Sequence, residues 1–148
     1  PQKMKNMLGH FAYVLAGAKE LGSIKSYRFK VSYDDVTVED DFIFGSVSNA
    51  TSVGGVFTFP KSEVTLDDGV MELLLVRAPK NPAETTSLIA ALLKRDFTNK
   101  HLIFAHTGNA KFESVKPLYW TIDGEQSEKI DSIIIDDVPG TIRIMQKR

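Results

Sequence analysis

Between positions 27 and 33 every second residue is aromatic or aliphatic. Tyr27, Phe29, Val31 and Tyr33 alternate with Arg28, Lys30 and Ser32. A period of two sends successive side chains to opposite faces of an extended chain, so the stretch reads as a half-buried strand. Asp34 and Asp35 break the pattern for two residues before Val36 and Val38 resume it. That spacing is a hairpin; without a glycine in the gap the turn type stays open. The run Glu39, Asp40 and Asp41 reads as a solvated turn. Further strands are expected at 42–47 and at 71–76, the second an almost unbroken apolar run suited to the middle of a sheet. Shorter ones are expected at 102–105, 111–115, 118–122, 132–135 and 141–145. Pro117 and Pro139-Gly140 punctuate them.

Two segments follow the helical period instead. Met4, Met7, Leu8, Phe11, Val14, Leu15, Ala18 and Leu21 form one apolar stripe that Gly22 can stop. Asn81-Pro82-Ala83-Glu84 sets an N-cap, a first-turn proline and a glutamate three residues on. Leu88, Ile89, Leu92 and Leu93 give that helix a buried face, and Lys94 and Arg95 suit its negative end. The fold class is therefore mainly β (α+β), antiparallel, with two flanking helices. Periodicity supports sheet-on-sheet or curled-sheet packing without fixing the topology.

At 148 residues the chain suffices for a single domain with a real core. A net charge of -1 gives no electrostatic case for nucleic acid. With no cysteine there is no thiolate nucleophile and no Cys-ligated zinc. His101 and His106 flank a strand with no third ligand at a metal spacing, so zinc is not expected. No apolar run approaches the length that spans a bilayer.

The expected strands at 42–47 and 71–76 are joined by a long connection over residues 47–69. It holds Ser48-Asn49, Gly54-Gly55, Pro60 and Leu66-Asp67-Asp68-Gly69. Hairpin loops in compact domains need only a few residues, and longer ones are often functional. Asp67 and Asp68 offer the hard oxygens that Mg²⁺ or Ca²⁺ takes. By composition alone the plainer reading comes first: a proline-started crossover and an Asp-Gly turn. Asp123-Gly124-Glu125 poses the same choice. Asp-Gly is a strong turn dipeptide, yet a rigid turn at a strand end is also a good mount for a catalytic carboxylate.

These motifs resemble the C-terminal domain of the diacylglycerol kinase family, especially the soluble bacterial lipid kinases. The shared pattern is Ser48-Asn49, Gly54-Gly55, Pro60, then Leu66-Asp67-Asp68-Gly69 entering a strand, with Asp123-Gly124-Glu125 later. Gly9-His10-Phe11-Ala12-Tyr13 also resembles the family's Gly-x-x-Ala-Tyr. The resemblance runs from about Lys3 to the last expected strand, and implies a two-layer antiparallel β-sandwich. It further implies transfer of the γ-phosphoryl of ATP to a lipid hydroxyl, diacylglycerol giving phosphatidic acid. Glu125 matches the general base with Asp123 beside it. Asp68, with the carbonyls of Thr65 and Val70, matches a structural Mg²⁺ site. A sphingoid or other lipid alcohol kinase is the neighbouring reading. An NAD-kinase-like domain fits the loop and the Asp-Gly-Glu less well, and a non-catalytic β-sandwich binding module is the rival from another class.

The family's Gly-Gly-Asp-Gly-Thr nucleotide run does not occur here. Residues 1–148 are therefore expected to be one C-terminal domain of a larger kinase, inactive alone. Its N-terminal nucleotide-binding domain is expected to be its partner and to hold most of the ATP. The lipid would be met at the membrane surface from the cytoplasm, and a homodimer is an open possibility.

Overall fold

The computed structural model describes residues 25–53, 57–58, 64–94 and 96–141. The helix expected over 4–21 and the strand expected at 141–145, Thr141 apart, lie outside the described residues. Among the described residues eight strands and one helix follow in order: β1 (Tyr27–Tyr33), β2 (Val36–Ser48), β3 (Ser52–Val53), β4 (Phe57–Thr58), β5 (Met71–Arg77), α1 (Pro82–Lys94), β6 (Leu102–Thr107), β7 (Asn109–Ile122) and β8 (Glu125–Asp136). Six of them form one sheet in the order β6-β5-β2-β1-β7-β8, and β3 pairs with β4. Every pairing is antiparallel, so the domain is mainly β as its alternation predicts.

The first hairpin forms where the two-residue gap places it, with Tyr33 opposite Val36. Asp34 takes φ 46°, a left-handed conformation that aspartate tolerates better than most residues, so no glycine is needed. The acidic run at 39–41 is not a turn. Glu39, Asp40 and Asp41 lie inside β2 opposite Lys30, Phe29 and Arg28. Arg28 comes within 3.2 Å of Glu39 and 3.6 Å of Asp41, and Arg77 within 3.2 Å of Asp40. Opposite charges across the ladder let an acidic segment remain extended.

Pro117 does not end a strand either. The expected segments 111–115 and 118–122 are one strand, β7. From Glu113↔Ser132 to Leu118↔Ile130 the ladder advances five residues along β7 and two along β8. The surplus forms a bulge that accommodates the proline. There the Ser114 hydroxyl lies 2.8 Å from the Lys116 carbonyl and 3.3 Å from that of Asp131. Phe112 and Trp120, eight residues apart on β7, would stand about 26 Å apart on a straight strand. Their ring centroids are 5.4 Å apart. The strand must therefore fold back at the bulge, carrying the far half of the β7–β8 hairpin over the sheet. Phe29 completes the cluster edge-on, 5.6 Å from Trp120 and 6.4 Å from Phe112.

Strand β5 is buried on both faces, which explains its unbroken apolar run. On one face Leu74, Val76 and Leu102 pack with Leu88, Ala91 and Leu92 of α1. On the other, Leu73 and Leu75 join Val31, Phe42, Ala110 and Phe112, with Trp120 packed against them. Helix α1 starts as its sequence predicts: the Asn81 side chain accepts the Glu84 N–H at 2.9 Å. Its buried face is Thr85, Leu88, Ala91 and Leu92. Leu93, expected inside, is 56% exposed because the sheet meets the helix one position earlier.

Candidate functional site

The tip of the folded-back hairpin is a two-residue turn, with Ile122 paired to Glu125. Asp123 has φ 50° and Gly124 φ 89°. Positive φ at both central residues is the type I′ combination, whose twist matches the flanking strands. Glu125 opens β8 directly after the turn, and Asp123, Gly124 and Glu125 are all exposed. Behind the tip a second register slip adds one residue to β8, and the Trp120 N–H donates to the Ser127 hydroxyl at 3.0 Å. Ile122, Asp123, Glu125, Gln126 and Ser127 line an open depression of about 390 Å³. No ion pair engages either carboxylate among the described residues. An exposed, unpaired carboxylate on a fixed turn is able to accept a proton from a bound alcohol.

Thr65, Asp68 and Val70 fall in one short segment leading into β5. Asp68 is exposed, and its Oδ1 accepts the Val70 N–H at 3.2 Å. Gly69 has φ 82°, and a Cβ there would lie 3.5 Å from Pro139. A Cβ on Gly108 would lie 3.1 Å from the Gly69 carbonyl. Asn49 donates through Nδ2 to the Leu66 carbonyl at 3.1 Å. The segment is thus held against the end of β2 and the β6–β7 turn. The second Asp68 oxygen and the carbonyls of Thr65 and Val70 are hard-oxygen donors of the kind Mg²⁺ takes. Among the described residues no three His, Cys, Asp or Glu side chains converge on one metal position. Such an ion would therefore depend on backbone carbonyls as well as Asp68. No hydrogen bond or ion pair joins the Asp68 segment to Asp123 or Glu125 among the described residues.

Sequence reasoning passed over Glu72. It counts as part of an apolar run, yet it is a carboxylate only 1% exposed. The available signal was its charge within an otherwise apolar central strand.

An antiparallel β domain with one face under a helix, a hairpin folded over the other, and carboxylates on its turns defines a sandwich-like class. Residues 1–146 match the family described as the YegS C-terminal NAD kinase beta sandwich-like domain, and the chain belongs to that family. It is 28% identical over 126 residues to the diacylglycerol kinase of Bacillus subtilis (strain 168), covering 84% of this chain and 41% of that protein. It is also 28% identical over 144 residues to the Stenotrophomonas maltophilia (strain K279a) protein named "Probable lipid kinase YegS-like", covering 95% and 45%. The chain spans less than half the length of these relatives. A solved Bacillus anthracis str. Sterne structure, provisionally assigned as a diacylglycerol kinase, superposes with a TM-score of 0.62 at 21% identity. It covers 92% of this chain and 44% of that one, and supports the fold. No helix among the described residues is long and apolar enough to cross a membrane.

Proposed function

We propose that this chain is the base-bearing, lipid-facing domain of an ATP-dependent lipid kinase that converts diacylglycerol to phosphatidic acid. The observation that carries the reading is Glu125, exposed and unpaired at the tip of a hairpin fixed by a type I′ turn. Both curated relatives just described carry kinase names, and the Bacillus subtilis protein is a diacylglycerol kinase by name. In the reaction the lipid hydroxyl oxygen forms a bond to the γ-phosphorus as the bond from that phosphorus to the β–γ bridging oxygen breaks. ADP leaves with the electron pair and Glu125 takes the hydroxyl proton. Phosphoryl transfer needs mostly positioning and charge stabilisation, so a single carboxylate near the acceptor is a sufficient base. Asp123, two residues away on the same turn, orients the acceptor hydroxyl. Thr65, Asp68 and Val70 would hold Mg²⁺, which when bound supplies a fixed positive charge that keeps the loop in one conformation. The nucleotide would be bound mainly by an N-terminal domain, and the enzyme would meet its lipid at the cytoplasmic membrane surface.

The test is Glu125→Gln in the two-domain enzyme, assayed with ATP, Mg²⁺ and diacylglycerol in mixed micelles. Gln keeps size and hydrogen bonding and removes basicity. kcat should fall by roughly 10²–10⁴ with KM little changed. A variant with near wild-type kcat would return Glu125 to a turn residue and move the base to Asp123.

A further inference from the structure

Glu72 lies at the start of β5, 1% exposed. Its Oε2 accepts the Ala50 N–H at 3.2 Å, while Oε1 is buried without a partner. Directly opposite on β2 is Ser48, and Ser46 follows two positions along the same face. Both hydroxyls are also buried without partners, as is Oδ1 of Asn49. The Asn49 assignment is fixed by chemistry: its Nδ2 must face the Leu66 carbonyl it donates to, so the other amide atom is an acceptor. One corner of the domain, where β2 enters the long loop, thus gathers a carboxylate and several neutral oxygens with unused lone pairs. Buried polar atoms without partners are rare in folded proteins, and a buried charge without compensation is strongly unfavourable.

Charge and donor type narrow what belongs there. Carboxylate, amide and hydroxyl oxygens are hard ligands that suit alkali and alkaline-earth ions. A single carboxylate balances a single positive charge. A divalent ion would leave an excess charge buried, and Mg²⁺ would also demand near-octahedral geometry with several waters. We propose that Glu72 Oε1, Ser48 Oγ and Asn49 Oδ1 form an inner site for a monovalent alkali cation, Na⁺ or K⁺. Its role is to lock the corner from which Asn49 holds the Leu66 carbonyl, one residue before the Asp67-Asp68 pair. The site stands independently of the kinase reading.

The experiment melts this chain in 0.2 M NaCl, KCl and tetramethylammonium chloride, with matched ionic strength and pH. The expected result is a Tm about 3–6 °C higher in NaCl or KCl than in tetramethylammonium chloride. That difference should vanish in Glu72→Gln and shrink in Ser48→Ala. Line broadening of ²³Na by the wild-type chain, relieved by added K⁺, is the second readout and serves if Glu72→Gln does not fold. Equal wild-type Tm in all three salts, or an alkali effect undiminished in either variant, overturns the site. So does a stability that follows pH but ignores the cation. Absence of ²³Na broadening likewise overturns it.

Discussion

A single residue, Gly124, decides how Glu125 is presented. At φ 89° it occupies a backbone region that other residues adopt only with strain, and it has open space around it. Asp123 shares the strain at φ 50°, which suits a short side chain more than a branched one. Asp68 has a comparable local role. By accepting the Val70 N–H at 3.2 Å it bonds back to the backbone two residues on and fixes its own turn. Melting the wild type and Asp68→Ala in EDTA and in Mg²⁺ tests the metal. A ligand that binds only the folded state stabilises by about 2.7 kcal/mol at a hundredfold excess over Kd. For a domain of this size that is a rise in Tm of roughly 5–10 °C. The wild type should show it and Asp68→Ala should not. An equal response in both proteins would remove Asp68 from the site.

Helix α1 is fastened at its start by charge as well as by its cap. Glu84 hydrogen-bonds the Lys100 ammonium and the Lys80 N–H, both at 2.8 Å. Those two bonds, the Lys100 contact first, hold its carboxyl well below the usual range, at about 2. A carboxyl whose folded pKa is depressed stabilises fully above its unfolded value, about 4.5, and loses that contribution as pH falls through the folded value. Urea midpoints of the wild type and Glu84→Gln should therefore differ most near pH 6 and converge toward pH 2. A constant gap would mean that the charge contributes nothing. The helix start, the first hairpin and the central strand were legible because each follows from local rules: a cap, a period, an apolar run. The acidic segment at 39–41 misled because its partners, Arg28 and Arg77, are neighbours only across the sheet. Pro117 misled for a similar reason, since a bulge is a property of two strands in register and not of one. For the site, the turn at 123–124 and the Asp68 segment were visible as turn chemistry, and their attachment to the rest of the domain was not. Asn49 reaching Leu66 and Gly108 abutting Gly69 are long-range contacts with no local mark.

At the scale of the whole molecule, the fold-back of β7 is what turns a single sheet into two layers. Trp120 is the chain's only tryptophan, so its emission reports directly on whether that layer is seated. It packs edge-on against Phe29 and Phe112 while half-buried. Truncation in Trp120→Ala should cost about 2–3 kcal/mol, below the range for a fully buried ring. The Glu125-bearing tip would be loosened with it, and kinase activity in the two-domain enzyme should drop although no catalytic group has changed. Preserved stability and activity would show that the aromatic cluster does not hold the hairpin. The conservative Trp120→Phe should recover most of both.

The bulge at residues 114–117 also divides one strand into two mechanical units. Its near half, with Ala110 and Phe112, is part of the buried sheet, while among the described residues its far half is attached through the bulge and one aromatic cluster. Regions held by few apolar contacts open on their own, below the cost of global unfolding. Amide deuterium uptake should therefore be fast over 118–130 and slow over 110–113, two rates within one hairpin. The carboxylate proposed to take the proton then stands on the half of the hairpin beyond the bulge, so its position is set by the bulge and the aromatic cluster and not by the buried ladder.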